Sequence, residues 1–117
     1  MSEPLNPVQI EAAIREASQR IAKGVSVVSE RYRAFLQAEH TLDVAFARAY
    51  MAFGGPAHEK RYAAELETIA QREARDDADA AHRYAEKQWR ALSSELDALR
   101  SIGASVRQAY AAGGGAS

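Results

Sequence analysis

Asp76, Asp79 and His82 recur at steps of three, and Asp79-x-x-His82 is the spacing at which one helix offers an acid and an imidazole to a metal ion in di-metal bundles. Such centres need the motif twice, with glutamates turned inward on facing helices. Here it occurs once, inside the charged run QREARDDADAAHR and beside arginines, so a solvated helix face is expected. His40 and His58 stand near expected helix ends without a partner at ligand spacing. Ser93, Ser94 and Ser101 fall on a helical stretch with no histidine in register. The chain has no G-x-S-x-G elbow and no P-loop, and Gly54-Gly55 reads as a turn. The absence of cysteine excludes disulfides, thiolate metal sites and thiol catalysis. No catalytic residue, cofactor or metal is expected, and the chain is not expected to be an enzyme.

A second constellation is basic. Arg20, Lys23, Arg31 and Arg33 lie on one stretch, and Arg83, Lys87 and Arg90 come to the same level when the chain doubles back, with Tyr84 and Trp89 as aromatics able to stack on bases. Helical projection sends the two basic groups to opposite flanks, and Glu30 and Glu86 dilute them. With 16 acids against 15 bases the formal charge is -1, too balanced for a strong sequence-independent hold on nucleic acid. Nucleic-acid binding through Arg20, Lys23, Arg31, Arg83, Lys87 and Arg90 therefore stands as the alternative to a protein partner. No apolar run reaches the length of a membrane span, and the start MSEPLNPVQ lacks the basic and apolar regions of a secretory leader. No membrane partner is expected.

The elements that carry these residues read as helices. Asn6-Pro7-Val8-Gln9 is a helix start: Asn6 caps, Pro7 suits the first helical position, and Gln9 reaches back. Gly54-Gly55-Pro56 is a stop, with a left-handed glycine cap and a proline opening the next helix. Gly113-Gly114-Gly115 begins a flexible tail. The organisation expected is an N-terminal extension over 1–6, one helical domain over 7–112 (arm one 7–53, turn 54–55, arm two 56–112) and a tail over 113–117.

Arm one carries Ile10, Ile14, Ala17, Ile21, Val25, Val28, Tyr32, Phe35, Leu42, Phe46, Ala49 and Phe53 at steps of mainly three and four, with one extra step of four at Val25. That is a heptad seam with a stutter. Glu39 occupies a seam position, and Thr41 is placed to cap a new helix. Arm two carries Tyr62, Leu66, Ala70, Ala74, Ala78, Ala81 and Ala85, then Trp89, Leu92, Leu96, Leu99, Gly103, Val106 and Tyr110. Folding back at Gly54-Gly55 sets Val25, Val28, Tyr32 and Phe35 against Ala74 to Ala85, Ile21 against Trp89, and Ile14 against Leu96.

The expected fold is thus all-α: a long antiparallel helical hairpin, either continuous or broken near Gly24, His40 or Asp76 into three or four helices, forming a helical bundle. Two helices alone make a thin core, so two chains are expected to pair as a homodimer. Val27 and Ala34 project to the same flank as Ala81, Tyr84 and Ala91, which makes those five the candidate self-association surface.

The length, central glycine turn and hairpin resemble the WXG100 secreted proteins. The turn Met51-Ala52-Phe53-Gly54-Gly55 has no tryptophan before the glycine, and the only tryptophan begins Trp89-Arg90-Ala91. Tyr84 is followed four positions on by Gln88, where that family's export pattern has an acid. A WXG100-like secreted hairpin is kept as a further alternative. Two stretches, YRAFLQAEHTLDVAFARAY (Tyr32 to Tyr50) and LSSELDALRSIGASVRQAY (Leu92 to Tyr110), resemble small α-helical proteins of unassigned function from actinobacteriophages, mycobacteriophage-like in character. Alanine at 26 positions and 12 arginines against 3 lysines agree with a GC-rich coding sequence of that kind. The resemblance spans roughly residues 30 to 110. It implies a phage accessory protein in the cytoplasm of a bacterial host, with a host or phage protein as partner, and it transfers no site residues. Such proteins are often encoded near replication and recombination functions, which is the setting of the nucleic-acid alternative.

Overall fold

A computed structural model of the chain describes residues 6–115. Helix α1 spans Pro7–Ala52, a 3-10 turn Ala57–Glu59 leads into α2 at Lys60–Glu67, and α3 spans Ile69–Gly115. No strand occurs among the described residues, and the fold is all-α. Residues 1–5 of the expected extension over 1–6, and the last two tail residues, lie outside the described residues. Gly113 to Gly115, read as the start of a flexible tail, belong to α3.

The start of α1 is the reciprocal cap expected. Gln9 N donates to Asn6 Oδ1 at 2.8 Å, and Asn6 N donates to Gln9 Oε1 at 3.0 Å. Two of the backbone N–H groups that every helix start leaves without partners are satisfied in this way. Asn6→Ala should cost about 1 kcal/mol, read as a lowered urea midpoint at unchanged slope; an unchanged midpoint would show that the cap contributes nothing.

Of the two alternatives left open at Gly24, His40 and Asp76, the continuous one holds. α1 passes through Gly24 and His40, and α3 through Asp76, without interruption. Thr41 is no cap: its Oγ1 donates to Gln37 O at 3.0 Å, the bond a threonine makes inside a continuing helix. The turn also differs from expectation. No described glycine has positive φ, so Gly54-Gly55 provides no left-handed cap. Gly55 leaves room of a different kind: a Cβ there would stand 2.5 Å from Phe53 Cζ, so the ring would have to shift to admit any other residue. Pro56, at φ -58° and ψ 144°, then turns the chain into the 3-10 segment.

Two compact units are present, a terminal unit (described residues 6–26 with 87–115) and a turn unit (27–86). In the terminal unit, Ile10, Ala17, Leu96 and Gly103 are buried. A Cβ built on Gly103 would stand 3.2 Å from Ile10 Cγ2, and one on Gly24 would stand 3.2 Å from Trp89 Cδ1. Trp89 therefore lies against Gly24, three residues beyond the Ile21 that numbering from the turn suggested. In the turn unit the Tyr32 ring lies 5.0 Å from the His82 ring, and Lys60 Nζ sits 5.6 Å over the Tyr50 ring. The chain does double back antiparallel, with the partners shifted by a few positions.

Gly24 also removes the stutter. Val25 is 54% exposed while Gly24 is half-buried, so the inner positions step evenly through Ile14, Ala17, Ile21, Gly24 and Val28. An apolar count passes over glycine because it has no side chain to score, yet that lack is what admits the indole.

Candidate interaction surfaces

Stepping back from Leu96 and Leu92 through Trp89 at alternating fours and threes gives Ala85, His82, Ala78, Arg75, Gln71, Thr68 and Ala64. None of the seven is exposed, and Ala64, Thr68 and Ala85 are buried. The inner face of the turn unit is therefore partly polar. The seam read from apolar residues alone was wrong here: Tyr62 and Leu66 are 64% and 71% exposed, and Ala70 and Ala74 are exposed as well. Apolarity pointed to Tyr62 and Leu66, whereas the positions turned inward in this unit are Ala64, Thr68 and Gln71. Tyr32 lies at the edge of its seam at 47% exposure, with the His82 ring 5.0 Å away. At the far end Tyr110 is 59% exposed.

Thr68 is where α2 and α3 part. It is 1% exposed, with φ -115° and ψ 22°. Its N–H donates to Glu65 O at 3.3 Å, a tighter i-to-i−3 bond that interrupts the α ladder, and its Oγ1 donates to Ala64 O at 2.7 Å. The Arg72 guanidinium reaches back, with Nη1 3.4 Å from Glu65 O and Nη2 3.5 Å from Thr68 Oγ1. Arg72 N then donates to Thr68 O at 3.0 Å and the ladder resumes. The Thr68 hydroxyl and the Ala64 and Glu65 carbonyls thus find partners within two turns, as burial favours, whereas Gln71 Oε1 is buried without one. Extrapolating the phase of the leucines was the sequence signal able to place Thr68 and Gln71 on the inside.

The residues considered for chemistry go to separate partners. Asp79 Oδ1 accepts from Arg83 Nε at 3.1 Å, Asp76 Oδ1 from Arg75 Nε at 3.0 Å, and His82 Nε2 lies 2.9 Å from Glu86 Oε1. Among the described residues no three potential ligands form a group that could hold a metal ion. His58 stands beside Glu59, with Nε2 to Oε1 at 3.8 Å, and His40 is exposed. The basic candidates are divided: Arg20, Lys23, Lys87 and Arg90 belong to the terminal unit, Arg31 and Arg83 to the turn unit. Of the proposed self-association residues, Val27, Ala34, Ala81 and Tyr84 share the turn unit and Ala91 lies in the other. Val27 is 38% and Tyr84 64% exposed, Ala34 and Ala91 are exposed, and Ala81 is half-buried.

No described helix is long and apolar enough to cross a membrane. No protein-family model matches the chain, and no curated protein or solved structure is significantly similar to it.

Proposed function

We propose that this chain is a non-enzymatic accessory protein that binds other proteins, a second copy of itself included, through outward faces of its helices. One observation carries the reading. In the turn unit Leu42 is the single large apolar side chain that is buried among the described residues, while nine large apolar side chains there are exposed. Two helical segments cover one stripe each, and a unit with so small an interior gains stability by burying further faces against a partner. The resemblance to actinobacteriophage proteins supports a phage accessory role in the cytoplasm of a bacterial host.

Sedimentation velocity across a concentration series tests the homodimer. Wild-type protein should associate, and Tyr84→Glu should weaken that association while leaving helicity by circular dichroism unchanged. An identical sedimentation profile for the variant would remove the Val27–Tyr84 flank as the dimer surface. Titration of labelled single- and double-stranded DNA at two salt concentrations tests the other reading. Failure to bind at low salt eliminates it, whereas strong salt-dependent binding would displace the protein-binding proposal.

A further inference from the structure

Five residues of the turn unit fall at steps of three and four on one outer face: Glu59, Tyr62, Leu66, Ile69 and Glu73. All five are exposed, and the three central ones are large and apolar, at 64%, 71% and 46% exposure. Ala64 and Thr68, buried on the inner side of the same segment, fix this face as the outward one. The stripe is apolar in its middle and acidic at each end. Among the neighbouring basic groups only the His58 imidazole faces an end of the stripe, its Nε2 3.8 Å from Glu59 Oε1, and the permanent cations are directed elsewhere. Arg61 Nε is on Glu65 at 3.1 Å, Arg75 Nε on Asp76 at 3.0 Å, Arg72 is held at the Glu65 carbonyl and the Thr68 hydroxyl, and Lys60 lies over Tyr50. The ends of the stripe therefore keep their negative charge.

That charge pattern selects the occupant. A second copy laid antiparallel about Leu66 would set Glu59 against Glu73, and a parallel copy would set each glutamate against itself; both are repulsive. Acidic ends also disfavour phosphate-bearing surfaces. We propose that this stripe docks an amphipathic helix of a different protein, one with apolar residues at i, i+4 and i+7 bracketed by lysine or arginine. Its apolar face covers Tyr62, Leu66 and Ile69, and its cations meet Glu59 and Glu73. The inference rests on the reading of the chain as a protein-binding module but uses a surface separate from Tyr84.

The test uses the full-length chain and two labelled synthetic helical peptides with the same leucine stripe, one bracketed by lysines and the other by glutamates. Fluorescence anisotropy should show the lysine peptide binding at least about tenfold tighter, a difference of about 1.4 kcal/mol, with the preference shrinking as salt is raised. Leu66→Asp should abolish binding at unchanged helicity, and the double change Glu59→Gln with Glu73→Gln should erase the preference. Equal binding of both peptides, binding of neither, or binding that survives Leu66→Asp would overturn the proposal. So would the discovery that Leu66→Asp dissolves a homodimer. Tyr84→Glu should leave peptide binding intact, so loss of self-association in that variant bears on the earlier reading alone.

Discussion

Trp89→Ala is expected to lower the unfolding free energy by about 3 kcal/mol or more, the usual cost of truncating a large aromatic in a core. Trp89 is half-buried, its ring edge closes on Gly24, and its Nε1 is buried without a hydrogen-bond partner. The orphaned N–H reduces the net gain, since an unmade buried hydrogen bond costs about 1–3 kcal/mol. Burial of the ring outweighs that cost, because glycine opposite leaves an empty space that alanine at position 89 would not fill. Trp89→Phe keeps most of the ring without the N–H and should lose much less than the alanine variant. Chemical denaturation measures both, and near-wild-type stability of Trp89→Ala would place the indole outside the load carried by the terminal unit.

Gly103→Val should destabilise by roughly 1–3 kcal/mol through overpacking. Gly103 is buried, and a Cβ there already meets Ile10 Cγ2 at 3.2 Å and Ile14 Cδ1 at 3.7 Å. Ile10 is 1% exposed and has no open side to move into. Leaving glycine gains a few tenths of a kcal/mol in helix propensity, too little to offset two additional methyl groups pressed against α1. Gly54→Ala is the contrasting control. Nothing lies within 4 Å of its Cβ position and its φ is not positive, so its midpoint should stay close to that of the parent. Equal stability for Gly103→Val and the parent would mean that the helices separate there at little cost.

What was legible before any coordinates depended on local physics. Asn6-Pro7-Val8-Gln9 wrote its own cap, because the groups involved are three residues apart. The midpoint turn was announced by Gly54-Gly55-Pro56, although its backbone proved to need room for Phe53 rather than positive φ. His40-Thr41 resembled a boundary only because a threonine hydroxyl serves equally as a cap and as a bond to the carbonyl four residues back.

The amino-acid sequence by itself determined an all-α chain with two long arms and a reversal between them, since helix starts, stops and periodicity are properties of neighbouring residues. Only the tertiary structure decided which face of each arm turns inward. In the terminal unit that choice follows the partner helix: Trp89 fits the gap at Gly24 and Ile10 the gap at Gly103. In the turn unit Thr68, Gln71 and His82 are turned inward, and Tyr62, Leu66 and Ile69 stay outside. Packing of the whole seam outweighs the preference of three side chains, which is why a hydrophobicity count read that stretch on the wrong side.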